Sequence, residues 1–246
     1  MPRFHSSPLW RRLLCGAALL FLLGGCLPNG NAPPADGAGP DDGFSLPHIA
    51  KGDIDLVVES HQRQVLAHLE ELARKLYRRN PREWQKADVA GYGDRLESIF
   101  SPETDWNFPE LEGRSGVGAI RLAFKPGFEG DRVFALTAGM ASMILKAYDN
   151  KTEFYVWDDL DPQKLYHAAR NVEIAAWLLN STRDDRDRPL ILANTMDGEG
   201  INLSFERLLG KVISLQDMMA QIIAQKTRRS IRHAVQFLAG AVFFPI

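Results

Sequence analysis

Apolar residues recur along the second half of the chain at Ile201, Phe205, Leu208, Val212, Leu215, Met219 and Ile222, in steps of four and three without a miss. That rhythm fits one face of a 3.6-residue helix and no strand. Leu209, Ile213, Met218 and Ile223 widen the stripe past the seam of a two-stranded coiled coil, so the spacing predicts a core helix of a globular bundle. With 45% hydrophobic residues overall, the roughly 195 residues from position 51 onward can bury one core without staples.

The rest of that region reads the same way. Asp53 reads as an N-cap, and Ile54, Val58, Val65, Leu69, Leu72 and Leu76 share one stripe of a helix ending at Asn80, where Pro81 restarts the chain. Residues 81–100 predict one or two shorter helices broken at Gly91-Tyr92-Gly93. Residues 101–113 read as irregular but packed through Trp106 and Phe108. Helices are expected around 117–124 and 131–148. Asp161-Pro162 opens another, an N-cap followed by proline at the first helical position. That helix, to about Asn180, is apolar nearly all round and is the expected central, buried one. A last helix is expected over 230–242. Strand character is confined to 152–157 (TEFYVW) and 189–194 (PLILAN), enough for one short hairpin. The fold expected is therefore all-α: a single bundle of six or seven helices over 51–246.

The first 26 residues are of a different kind. Arg3, Arg11 and Arg12 form a basic start with no acidic residue, residues 13–23 are apolar, and Leu-Gly-Gly-Cys closes the segment at Cys26. The apolar run is too short to span a bilayer, which needs roughly 20 residues, and it has the layout of an export signal. Leu23-Gly24-Gly25-Cys26 resembles the lipobox of bacterial lipoproteins. The resemblance implies removal of 1–25 and lipidation, palmitate included, of Cys26. Leu27 follows the cysteine, where an aspartate would favour inner-membrane retention in the lipoproteins this resembles; the expected address is the periplasmic face of the outer membrane. Residues 27–50 hold five Pro and four Gly and few large apolar residues, a composition read as a flexible tether.

Charge and cysteine content exclude several classes. Losing the three signal arginines takes the formal net charge from −2 to about −5, which disfavours nucleic acid. Cys15 would leave with the signal and Cys26 would carry lipid, so no disulfide, thiolate metal site or cysteine nucleophile is expected. His61 and His68 are roughly 10 Å apart along one helix, too far to share a metal ion. Neither Asp158-Asp159-Leu160-Asp161 nor Asp184-Asp185-Arg186-Asp187 has the glycine and glutamate spacing of a calcium loop. No metal or cofactor is expected.

The polar residues of interest are His167, Arg170, Asn171 and Glu173, set on the apolar 161–180 helix. Arg170 and Glu173, three apart, pair along a helix surface in the plainest reading. The chemical alternative makes Glu173 the raised-pKa general acid of a cell-wall glycosidase, which requires a second carboxylate in a cleft. The sequence favours a non-enzymatic lipoprotein that binds a protein partner in the envelope or acts as a scaffold there. A carrier of an apolar ligand, held between Met218-Met219 and the tail Phe243-Phe244-Pro245-Ile246, is the second reading. Burial of that tail is preferred over its exposure, because chain ends this apolar are usually tied down.

Overall fold

The computed structural model describes residues 52–195, 200–233 and 240–246. The expected signal, Cys26 and the expected tether lie outside the described residues, as do residues 234–239 of the expected 230–242 helix. Among the described residues there are seven α-helices and no strand.

Helix α1 (Asp53–Arg79) starts one residue earlier than expected: Gly52, not Asp53, is the N-cap, and the Asp55 carboxylate accepts its N–H at 2.9 Å. Val58, Val65, Leu69, Leu72 and Leu76 are buried as their stripe requires. Asn80 ends the helix, α2 (Pro81–Trp84) follows, and α3 (Tyr92–Phe100) opens after Gly91. A short 3-10 turn at Pro109–Leu111 interrupts the irregular stretch, in which Trp106 and Phe108 pack edge-on to one another and Phe108 onto Phe134.

Helices α4 (Gly116–Ala123) and α5 (Arg132–Ala147) form an antiparallel pair. The small residues of α5 allow α4 to approach closely. A Cβ on Gly139 would sit 2.7 Å from the Ile120 nitrogen and 2.8 Å from the Gly116 carbonyl oxygen. The Asp131 carboxylate caps α5 by accepting from the Phe134 N–H at 2.8 Å. Every residue of α5 except Leu145 and Lys146 is buried. It, not the 161–180 helix, is therefore the central one. Alanine and glycine faces bury completely at little volume, whereas α6 (Pro162–Ser181) carries Trp177 and charged side chains that hold part of its surface in solvent.

Helix α7 (Ser204–Thr227) carries the four-three apolar stripe, although Ile201 falls outside the helix and is exposed. It runs antiparallel to α1: Lys226 reaches Asp55 at 2.8 Å at one end, and Lys75 sits over the Phe205 ring, 5.3 Å from its centroid, at the other. Helix α6 runs antiparallel to α7 as well, with Asn180 beside Glu206 and Gln163 beside Arg232. The layer thus has a near end, where Gly52 enters, and a far end at Asn80, roughly 40 Å away along α1.

The expected hairpin does not form. Residues 152–157 are folded against the near end, where the Glu59 carboxylate accepts the Phe154 N–H at 3.0 Å. Residues 189–194 lie at the far end, where the Asn80 side chain accepts from the Leu192 N–H and donates to its carbonyl, both at 2.8 Å. Side-chain amides and carboxylates occupy the backbone groups a partner strand would use, and the length of α1 separates the two segments. The helix expected from Ser230 does not begin there either. Arg228 ends α7 in the left-handed region, and Gln163 takes both the N–H and the carbonyl of Arg232.

Candidate functional site

Arg170 of α6 faces outward toward α7, where its Nη2 meets Glu173 Oε1 at 3.1 Å and Asp217 Oδ2 at 2.6 Å, with the guanidinium over the Tyr166 ring. The expected pair is present, but it is a triad. Asp217, 47 residues away in sequence, carries no local signal of this role. Burial pushes both carboxyls above their ordinary values, against the pull of Arg170, and Asp217 adds to the effect on Glu173.

Beside the triad a groove of about 300 Å³ runs between α6 and α7, lined by Glu173, Ala176, Trp177, Asn180, Glu206 and Ile213. Glu206 is engaged as an acceptor from Asn180 at 3.1 Å and Asn194 at 3.4 Å. A general acid must hold its proton at working pH and meet its substrate in a shielded cleft. Glu173 instead faces a guanidinium, in a groove at the lower limit of size for a small ligand.

His167 and Asn171, the other polar residues of α6, fasten the end of the chain. Asn171 donates to the Phe244 carbonyl at 2.9 Å and accepts the Phe244 N–H at 2.7 Å, replacing a strand partner for that residue. His167 Nδ1 lies 2.8 Å from the Pro245 carbonyl, and its ring stacks on Phe244. Phe243 enters the core, so the tail is docked in its described part; Phe237 lies outside the described residues. The tail seats on α4, α5 and α6 rather than on Met218-Met219: Met219 is core and Met218 is exposed. Beneath it is a cleft of about 500 Å³ whose lining includes Val117, Arg121, Met143 and Lys146. A second, more apolar cleft of about 470 Å³ lies against α1, lined by Leu66, Ile99, Phe100, Trp106 and Leu145 and rimmed by Arg63 and Glu70.

The most saturated polar cluster was invisible in the sequence. Arg95 of α3 donates to both Glu110 oxygens at 2.7 and 2.8 Å and to Asp131 Oδ2 at 3.3 Å, with its guanidinium 3.5 Å from the centroid of the Phe134 ring. The Tyr77 hydroxyl donates to the same Asp131 oxygen at 3.0 Å. Burial pushes the Tyr77 hydroxyl and the Asp131 carboxyl up, the latter against hydrogen bonds from Phe134, Arg95 and Tyr77. This knot joins α1, α3, the 3-10 turn and α5, with no cleft beside it among those described.

Helical spacing keeps His61 and His68 apart: His61 Nδ1 faces the Val57 carbonyl and His68 pairs with Gln64. Asp158 and Asp161 fix turns and a helix start, and Asp184, pushed down to about 2 chiefly by hydrogen bonding from Arg188, closes its own turn. Among the described residues no group of three or more His, Cys, Asp and Glu could hold a metal ion, and no helix is long and apolar enough to cross a membrane.

Besides Met218 within α7 and Val242 in the tail, the exposed large apolar side chains lie toward the two ends of the α1–α7 layer. Ile54, Leu56, Val57, Val156 and Trp157 lie at the near end, and Leu192, Ile201 and Leu203 at the far end. No family model, curated protein or solved structure matches the chain.

Proposed function

We propose that the protein is a lipid-anchored, periplasm-facing lipoprotein of the outer membrane whose helical domain binds a protein partner as a non-enzymatic component of the cell envelope. The observation that carries the reading is the far-end patch. Leu192, Ile201 and Leu203 are 44%, 75% and 45% exposed on the end of the domain remote from Gly52, where the anchored segment enters. Exposed apolar side chains gathered at one end of a domain are a usual mark of a partner site. Arg170 meanwhile engages the one candidate acid.

A photo-reactive amino acid at Leu203, in cells, tests this reading. One discrete higher-mass adduct is expected there and none at exposed Glu103, and Ile201→Asp should reduce its yield at least several-fold. Equal adduct patterns at both positions would remove the partner reading.

Two specific observations keep alternatives in view. The cleft at Phe100 and Trp106 has the size and lining of an apolar-ligand site, which supports the carrier. Glu173 and Glu206 border one groove with Trp177, which supports the glycosidase. Turnover of purified peptidoglycan that disappears in Glu173→Gln, with folding intact, would install the enzyme in place of the scaffold.

A further inference from the structure

The near-end patch differs from the far one in what it adjoins. Trp157 is 71% and Val156 59% exposed, at the tip of a turn built to hold them out. The Asp158 carboxylate accepts the Tyr155 N–H at 2.8 Å, the Asp158 N–H returns to the Tyr155 carbonyl at 2.8 Å, and the Tyr155 and Trp157 rings stack 5.2 Å apart. The turn is fixed to α1 by Glu59 and by Gln62, which donates to the Lys151 carbonyl at 2.7 Å. Trp157 is thus presented by a braced structure.

The patch also sits where the chain enters the domain. A Cβ built on Gly52 would lie 3.7 Å from Val156 Cγ2, and Leu56 and Val57 belong to the first turns of α1 that follow. Residues 27–51 connect this point to Cys26, a reach of at most about 80 Å. A lipid surface holding Cys26 is therefore always within range of Trp157, at high effective concentration. Charge opposes the contact only in part. Asp158 is held by Lys151 at 2.5 Å, Asp159 by Arg229 at 2.5 Å and Asp55 by Lys226 at 2.8 Å, which neutralises three of the nearby carboxylates, while exposed Glu153 accepts from the Tyr155 hydroxyl and Asp53 stays at the start of α1.

We infer that Trp157 and Val156, with Leu56 and Val57, form a membrane-docking surface that seats the near end of the domain on the lipid bilayer carrying its own anchor. Tryptophan on an aliphatic patch is suited to the headgroup boundary, where the indole ring has an apolar face and a polar N–H. A weak surface suffices, because the lipid already supplies the tethering. Docking would point the far end, with Leu192, Ile201 and Leu203, away from the membrane. The inference rests on the lipoprotein reading of Cys26.

The test uses the full lipidated protein in vesicles of phosphatidylethanolamine and phosphatidylglycerol containing a small fraction of nitroxide-labelled lipid. Cys15 and Cys26 are the only cysteines of the chain, so on this reading Trp157→Cys and, separately, Leu192→Cys each supply the sole free thiol for an environment-sensitive fluorophore. At 157 the lipid-borne nitroxide should quench several-fold more than aqueous iodide does, and at 192 the order should reverse. Equal access of iodide to both positions, with the protein still sedimenting with the vesicles, overturns docking and leaves the anchor standing. Shielding of 157 from iodide without nitroxide quenching also overturns it, in favour of a protein covering the patch. Failure to sediment, or sedimentation unchanged in Cys26→Ser, removes the anchor and the inference with it.

Discussion

Arg95 and Arg170 each set one guanidinium against two carboxylates, yet the two clusters do different things. The Arg95 side chain is 5% exposed and donates from all three of its nitrogens, to Glu110 and Asp131, with an aromatic ring over its face. The Arg170 side chain is 17% exposed and meets both Glu173 and Asp217 through Nη2; burial pushes both carboxyls upward, and Glu173 borders a groove. Equal charge counts therefore do not make equal sites. Hydrogen-bond saturation and burial turn the first into a structural lock between four elements, while the second retains carboxylates that titrate near the surface.

The largest effect is expected from the lock. Arg95→Ala leaves Asp131 buried with one carboxylate and no cation, and should destabilise by about 3–5 kcal/mol. For a domain of this size that lowers the melting temperature by roughly 8–15 °C. Arg95→Lys should recover little of the loss, since an ammonium cannot bridge Glu110 and Asp131 in two directions. Urea unfolding measures both, and a loss below about 1 kcal/mol for the alanine variant would erase the distinction between the clusters.

Arg170→Ala should cost less, about 1–2 kcal/mol at neutral pH, because solvent reaches Glu173 and Asp217 and screens the charges left behind. This loss should shrink on acidification. Without the cation both native carboxyls bind protons more tightly still, so stability rises as pH falls through their raised values. Thermal melts at pH 7 and pH 5 give the comparison directly.

The smallest effect concerns the intact triad. Glu173 and Asp217 have native values raised above the ordinary 4.5 and 3.8, so the folded state binds their protons more tightly than the unfolded chain does. Their contribution to stability is complete below those ordinary values and is lost as pH rises through the native ones. Glu173→Gln, which removes one titration, should slightly flatten the rise in melting temperature on lowering the pH from 7 to 5. A slope identical to that of the parent protein would show that Glu173 does not titrate in that window.

The helices were legible because their causes are local. The stripe of α1, the Asp161-Pro162 start and the four-three rhythm of α7 each lie within a few residues of sequence, and each marks an element. The Arg170–Glu173 pair was readable for the same reason, being one helical turn apart. Its third member was not, nor was the knot of Arg95 with Glu110, Asp131 and Tyr77, since those partners meet only when distant helices pack. Strand character at 152–157 and 189–194 misled because aromatic and branched residues fit any half-buried extended segment. Tertiary contacts with Glu59 and Asn80 took their backbone groups instead.

Sequence alone thus determined which segments run as helices, and most of the faces they bury, through short-range periodicity and capping. The tertiary structure decided whether a helix forms after Ser230, which helix is central, where the tail docks and which carboxylates share an arginine. Those outcomes depend on how volumes and charges from remote segments fill one common space, and no local pattern encodes that.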